Sequence, residues 1–436
     1  MVLKTNPKPW AFSKQKEYLL TNVTFVDPLD GSVYCDMGVK LKDGLIVSVA
    51  FPPHSHVITA DSTVVDLRGK YLCPGLIDCH VHIATPPGEA GLSATMAIDD
   101  TTSLLRQPWL LKQMLHRGFT TIRDCGGATL AMKEAVAEGL HPGPRMFIAG
   151  KAISQTGGHG DKRSAKEAEG STCCGGHAEG IGRIADGVEQ CLIAAREQLR
   201  QGADFIKIMC SGGVASPTDK LTSVQYTSEE ILAFTKVAKS AGTYVTAHAY
   251  TPESIQHAID CGVMGIEHGN LIDEKTAKLM ARKGVFLTPT LTTYDAMASR
   301  EFAGFLPPGN TEKNLEVLDK GLKSVQIADG AGVTMCFGSD LLGNLQTRQT
   351  REFALRQKVL SPLKVLQSAT INGAKRLGQE RKLGRIAEGY VADLLVLDAN
   401  PLEDVSILDQ GERYLKVVIK EGRVMMSRLE VLPAEM

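Results

Sequence analysis

From Tyr71 onward the chain repeats one rhythm: a short apolar run, a polar or glycine-rich turn, then a longer amphipathic segment. The apolar runs are Leu76–His82, Thr120–Asp124, Arg145–Ala149, Phe205–Cys210, Tyr244–Ala249, Gly265–His268, Phe286–Thr290 and Thr334–Gly338. Each is short enough to be a strand. Helical spacing marks the stretches between them: Trp109–Arg117, Leu130–Glu138, Asp186–Gln201, Ser228–Ser240, Pro252–Cys261, Glu274–Lys283 and Asn314–Ala331. Thr227 before Ser228-Glu229-Glu230 and Thr251 before Pro252-Glu253 supply hydroxyl caps followed by early acidic residues. Parallel strands need a crossover between them, and a helix is the usual crossover. Eight such units over residues 71–338 therefore predict an α/β fold of the (β/α)8 TIM-barrel type, with its chemistry at the C-terminal ends of the strands. The rival, an open doubly wound sheet, would bring a glycine-rich phosphate loop; neither G-x-G-x-x-G nor G-K-[ST] follows any strand.

Both ends of the chain read differently. Tyr18–Val26, Met37–Leu41, Leu45–Val49 and Thr63–Leu67 are short strands separated by turns at Asp30-Gly31 and Asp43-Gly44. After a helical stretch, Pro362–Leu377, the segments Gly384–Leu397, Leu415–Lys420 and Arg423–Met426 are β-like again. Neither end is long enough to close on itself, so the two are expected to pair into one small β-sandwich. The predicted division is residues 17–70 and 377–430 for the sandwich and 71–376 for the barrel.

Composition removes several classes of function. A net charge of −1 argues against nucleic acid or an anionic membrane surface as partner. No apolar run reaches the ~18 residues of a membrane span. The first 16 residues are polar and lysine-rich, without the apolar segment of a secretory signal. Cys79, Cys125, Cys210 and Cys336 sit in apolar runs and read as buried hydrophobes of a reducing compartment. The expected location is cytoplasmic, or secreted if a signal has been removed. Cys173-Cys174, in a glycine-rich loop, reads as an inert exposed pair.

The ionisable residues within these apolar runs gather at the strand ends. His80 and His82 close the first strand, and side chains alternate along a strand, so the two imidazoles share a face. Lys207 lies in the fourth run, His248 in the fifth, His268 in the sixth and Asp340 just after the eighth. Any one alone would be an ordinary hydrogen-bonded core residue. Six at the C-terminal ends of one barrel would converge on its axis and suit metal ligation. A buried lysine must pair with an acid, here Asp124 or Glu267, or lose its charge. A neutral amine can instead add carbon dioxide and become an anionic carbamate able to bridge two cations.

That order of residues resembles the amidohydrolase superfamily, and the two-ended β-sandwich extends the resemblance to nearly the whole chain. Cys73-Pro74-Gly75-Leu76-Ile77-Asp78, Gly157-Gly158-His159-Gly160 and His248-Ala249-Tyr250 are similar to the imidazolonepropionase-like and Xaa-Pro dipeptidase-like branch, near binuclear dipeptidases and fungal ochratoxinase. The resemblance implies two divalent ions, zinc by preference: one held by His80, His82 and Asp340, the other by His248 and His268. It further implies N6-carboxylysine at Lys207 and a hydroxide bridging the metals, with Asp340 as proton shuttle. His159 resembles the histidine that polarises the scissile carbonyl, and Tyr250 the tyrosine that contacts substrate. The implied activity is hydrolysis of the amide bond of a dipeptide or N-acyl amino acid, in a chain that forms a homo-oligomer. Arg163 is a candidate partner for the product carboxylate. Alternatives on the same scaffold are cyclic amide opening, lactone hydrolysis and deamination, although deaminases of this type need no bridging lysine. The remaining alternative is a non-catalytic scaffold protein, which would be expected to have lost ligands that this chain keeps.

Overall fold

The computed structural model describes residues 8–13, 15–51, 62–163, 166 and 180–435. Its centre is two all-parallel sheets wrapped in helices. One holds Leu76–Val81, Phe119–Asp124 and Arg145–Ile148. The other runs in the order Gly182–Ile184, Ala152–Ser154, Ile206–Met209, Val245–Ala249, Gly265–His268, Phe286–Thr288. Every residue of Leu76–Val81, Phe119–Asp124, Ile206–Met209, Val245–Ala249 and Gly265–His268 is buried, as in a parallel sheet covered on both faces. Ile122, Ile208, Ala247 and Ile266 pack outward against helix residues such as Leu111, Phe234, Ile255 and Met280.

Hydrogen bonds tie the two sheets together at both sides. The Asp204 N–H donates to the Ile148 carbonyl at 2.7 Å. The eighth predicted run, Thr334–Gly338, carries only one bridge, Leu287 to Met335, yet it lies between two strands. The Cys336 N–H donates to Leu287 at 2.8 Å, and the Cys79 N–H donates to Phe337 at 2.8 Å. The short strands Ala152–Ser154 and Gly182–Ile184, which no pattern announced, extend the sheet beside Ile206–Met209 and carry the loop that presents His159.

Helix starts follow the caps. Thr227 and Glu230 form a reciprocal capping box, and the Thr251 hydroxyl accepts the Ser254 N–H. The helix predicted to begin at Trp109 runs instead over Asp100–His116, with Pro108 inside it. Its N-cap, Asp99, accepts the Thr102 N–H, and the apolar face Leu110, Leu111, Met114, Leu115 holds it down despite the missing N–H.

Strands from both chain ends join in one further sheet, ordered Arg423–Ser427, Leu415–Lys420, Leu394–Leu397, Tyr71–Pro74, Glu17–Val26, Val33–Lys42, Leu45–Ala50, with Ser62–Asp66 also pairing with Glu17–Val26. Asp43-Gly44 turns its hairpin with φ of 50° and 82°, the mirror-image turn that such a pair of residues favours. A second core, including Leu20, Val39, Leu41, Leu72, Val396 and Ile419, fills this sheet. Of the β-like stretch 384–397 only Leu394–Leu397 is strand. From Tyr71–Pro74 the chain steps directly into Leu76–Val81 at Gly75, where a Cβ would lie 2.2 Å from Thr120 Oγ1.

The cysteines among the described residues are free, and all but Cys35 are buried; Cys173-Cys174 lies outside the described residues. No helix among the described residues is long and apolar enough to cross a membrane.

Candidate active site

Alternation along Leu76–Val81 sends His80 and His82 to one side, with ring centroids 5.3 Å apart. Their Nε2 atoms meet the same oxygen, Asp340 Oδ1, at 3.3 and 3.1 Å. Asp340 is delivered by the segment beside that strand: its N–H donates to the His80 carbonyl at 2.8 Å, and its backbone is left-handed at φ 51°. The far nitrogens are tied. His80 Nδ1 lies 2.9 Å from Glu267 Oε2, and His82 Nδ1 lies 2.9 Å from the Gly126 carbonyl.

His248 and His268 complete the cluster from the next two strands. Ring centroids are 4.9 Å apart for His80 and His268 and 4.6 Å for His248 and His268. His268 Nδ1 is 2.7 Å from Thr290 Oγ1 and 3.9 Å from Asp340 Oδ2, on a backbone with φ 75°. Left-handed backbone at two non-glycine residues of one site is strain of the kind held in place at functional positions.

Lys207 is 1% exposed and has no ion pair or hydrogen-bond partner among the described residues. Both acids that could have paired with it are taken. Glu267 binds His80, Thr246 and Arg123, whose Nη2 is 2.5 Å from Oε1. Asp124 accepts the backbone N–H groups of Ile83, Gly126 and Ala128. In the parallel register Lys207 faces Thr246, one step below His248, so its long side chain rises toward the imidazoles. Its charge is felt there, lowering the proton affinity of His248 and His268.

Electrostatics set the Asp340 carboxylate beside two rings held neutral, His248 and His268. Burial, then the Lys207 charge, pushes His248 down to about 3. Burial, then neighbouring His248, holds His268 well below the ordinary histidine value. Asp340 is pushed up by burial, but the charge of His80 and its hydrogen bonds outweigh this and hold it well below the usual carboxylate range. His80 moves the other way: burial lowers it, and the Asp340 charge more than compensates. Ligand atoms of His80, His82 and Asp340 all lie within 4.8 Å of one another. Imidazoles with one nitrogen anchored and the other aimed at a shared carboxylate are a donor set that fits a divalent cation. His80, Cys125 and Glu267 also cluster, but Glu267 is already neutralised by Arg123.

His159 stacks on His248 with centroids 4.1 Å apart, and its Nδ1 is 2.9 Å from Ser216 Oγ. Tyr250 lies 4.8 Å from the His248 ring and 5.4 Å from His268, with its hydroxyl 2.7 Å from that of Tyr294. All eight residues singled out from the sequence thus meet at one end of the parallel strands. Arg163 does not join them, because its guanidinium is forked onto Asp161 at 2.8 and 2.5 Å. The neighbouring Lys162 reaches the site through His159: its Nζ donates to the His159 carbonyl at 3.3 Å and its charge lowers the proton affinity of that ring, with no carboxylate within 4.0 Å of it among the described residues. Glu267, Arg123, Thr290, Tyr294, Ser216 and Asp219 support the cluster and were not marked as site residues by any motif. Glu267 alone had a signal, its place beside His268 in an apolar run.

Residues 71–425 match the model of the Amidohydrolase family. The chain is similar to ochratoxinase of Aspergillus niger, 31% identical over 433 residues that cover 96% of this chain and 88% of that one. A solved prolidase complexed with N-methylphosphonate-L-proline superimposes with TM-score 0.90 at 42% identity, covering 95% of this chain and 100% of the other. A Xaa-Pro dipeptidase with methionine in its active site gives TM-score 0.84 at 28% identity, covering 94% and 99%. In keeping with these neighbours, the parallel sheets form a TIM-barrel-like domain.

Proposed function

Because the chain belongs to the amidohydrolase family and is a hydrolase acting on amide bonds, we propose that it cuts a dipeptide or N-acyl amino acid with a pair of divalent cations. The observation that carries this reading is the convergence of His80 and His82 Nε2 on Asp340 Oδ1, with both Nδ1 atoms anchored behind. His80, His82 and Asp340 would hold one cation and His248 with His268 the second. Lys207, buried without a counter-ion, would bridge them as its carbamate. Zinc suits imidazole and carboxylate donors, and such ions supply an acidified water and polarise the amide carbonyl.

The chain's own residues supply the rest. Asp340 takes the proton of the attacking water and passes it to the leaving nitrogen. His159 and Tyr250 flank the cluster where the carbonyl and the acyl group would lie. Lys162 is the cation for a free carboxylate on the product side. The name of one similar protein agrees with such a substrate, since N-methylphosphonate-L-proline carries a free carboxylate beside its substituted proline nitrogen.

Closure of the parallel strands into a complete (β/α)8 barrel is part of the proposal, supported by the Asp204–Ile148 and Cys79–Phe337 hydrogen bonds. So is the division at residues 17–70, 71–376 and 377–430, supported by the separate core of the terminal sheet, which also takes in Leu72 from the strand Tyr71–Pro74 just past the first boundary. Assembly into a homo-oligomer would cover Leu105 and Trp109, exposed one turn apart on Asp100–His116.

The test joins a metal assay to a hydrolysis screen over N-acyl amino acids and dipeptides with varied C-terminal side chains. Close to two equivalents of a divalent ion per chain, and turnover lost to a chelator and restored by metal, are expected. No metal after reconstitution with metal and bicarbonate favours the scaffold alternative. Turnover confined to cyclic amides or lactones would replace the substrate class.

A further inference from the structure

The loop that follows Ile206–Met209 is moulded around the ring of His159. A Cβ on Gly213 would sit 2.2 Å from the imidazole Cε1 and 2.3 Å from Nδ1, so only glycine lets loop and ring lie so close. Three residues on, Ser216 Oγ is 2.9 Å from His159 Nδ1. The Ser216 hydroxyl in turn donates to Asp219 Oδ1, a buried carboxylate. The other oxygen, Oδ2, accepts Gln225 Nε2 at 3.0 Å, and Gln225 Oε1 accepts the backbone N–H of His159 at 3.0 Å. Asp219 therefore reaches His159 by two routes, through a hydroxyl to the ring and through an amide to the main chain. Lys313 pins this loop, donating to the carbonyls of Gly213, Ser216 and Asp219 at 3.2, 3.1 and 2.6 Å.

A serine hydroxyl has a single proton to give. With that proton committed to Asp219, Ser216 Oγ can only accept from the ring, and the hydrogen-bond network assigns the Nδ1–H tautomer to His159. Contact with substrate then falls to Nε2, for which no partner is found among the described residues.

We propose that Asp219, acting through Ser216, is a positioning residue that fixes which nitrogen of His159 meets the scissile carbonyl and at what angle. The proposal rests on the reading of His159 as the group that contacts that carbonyl. A ring free to turn about its side-chain bonds would spend most of its time out of reach. Small misplacements of a contacting group cost rate rather than substrate affinity.

The experiment is a mutant cycle on the metal-loaded enzyme with an N-acyl amino acid that it hydrolyses. Ser216→Ala and Asp219→Asn are each expected to lower kcat about tenfold or more while KM stays within about twofold. Ser216→Ala added to His159→Ala should cost nothing further, because the group it positions is gone. Since Asp219→Asn also loosens the loop, its Tm is compared with that of Ser216→Ala, which leaves the Gln225 contact in place. Wild-type kcat in Ser216→Ala overturns the proposal. A loss as large in the His159→Ala background as in the wild type does so too, since it marks a purely structural role. Unchanged kcat in His159→Ala itself overturns the underlying reading of that histidine as well.

Discussion

Glu267 Oε2 lies 2.9 Å from His80 Nδ1, and its other oxygen lies 2.5 Å from Arg123 Nη2, all three side chains being buried. Burial alone would push this carboxyl up; the Arg123 charge and then the His80 hydrogen bond outweigh it and keep the group ionised. The ion pair thus decides which nitrogen of His80 is spent and which is offered to Asp340. Glu267→Gln should lower metal affinity roughly 10–100-fold, as loss of a ligand's outer partner does. It should also cost about 3–5 kcal/mol, because Arg123 is left buried without its counter-charge. Metal content after dialysis and the urea midpoint check both, and unchanged values would separate Glu267 from the site.

Asp340→Asn keeps the shape of the side chain and removes its charge. The fold should survive, since Asp340 is anchored by its backbone N–H on His80 rather than by its carboxylate. Turnover should fall by about 10²–10⁴-fold, the range for a positioned acid–base group. Circular dichroism and kcat measured on one preparation test this. A kcat within twofold of wild type removes Asp340 as proton shuttle.

What the sequence disclosed follows from which signals are local. His80 and His82 were readable because strand alternation puts residues two apart on one face. Lys207, His248 and His268 were readable because a charged or imidazole side chain inside an apolar run must have a reason to be there. The Thr334–Gly338 run reads as a strand, yet its bonding is almost wholly to neighbours distant in sequence, Leu287 and Cys79. Tyr294, Ser216 and Asp219 gave no such signal, because they lie outside the strands and owe their positions to long-range contacts with Tyr250 and His159. For the same reason only the folded loop shows that Asp161 holds Arg163.

Lys207→Ala tests the carbamate directly. The amine is enclosed, and Asp124 and Glu267 are both occupied elsewhere. Removal of the side chain should strip the second cation and most of the activity. Short carboxylates such as acetate or propionate should restore part of both, since they supply the bridging oxygens. Metal stoichiometry and turnover with and without added carboxylate are the measurements. Full activity in Lys207→Ala would remove the bridge.

Lys162 sets the expected alkaline limit. Burial pulls its pKa from the ordinary lysine value down to about 8, with Asp219, Asp340 and Asp161 opposing. Below that pH the ammonium is charged and can meet a substrate carboxylate; above it the proton is lost, and the free enzyme binds such substrates less well. For an N-acyl amino acid, kcat/KM should therefore fall on an alkaline limb beginning near 8, by up to about tenfold per pH unit. The matching C-terminal carboxamide offers no charge to Lys162 and should lack that limb. Lys162→Met should raise KM for the acid, flatten its profile and leave the carboxamide unchanged. A limb of equal depth on both substrates, or one that persists in Lys162→Met, would assign the titration to another group and leave the carboxylate without its proposed cation.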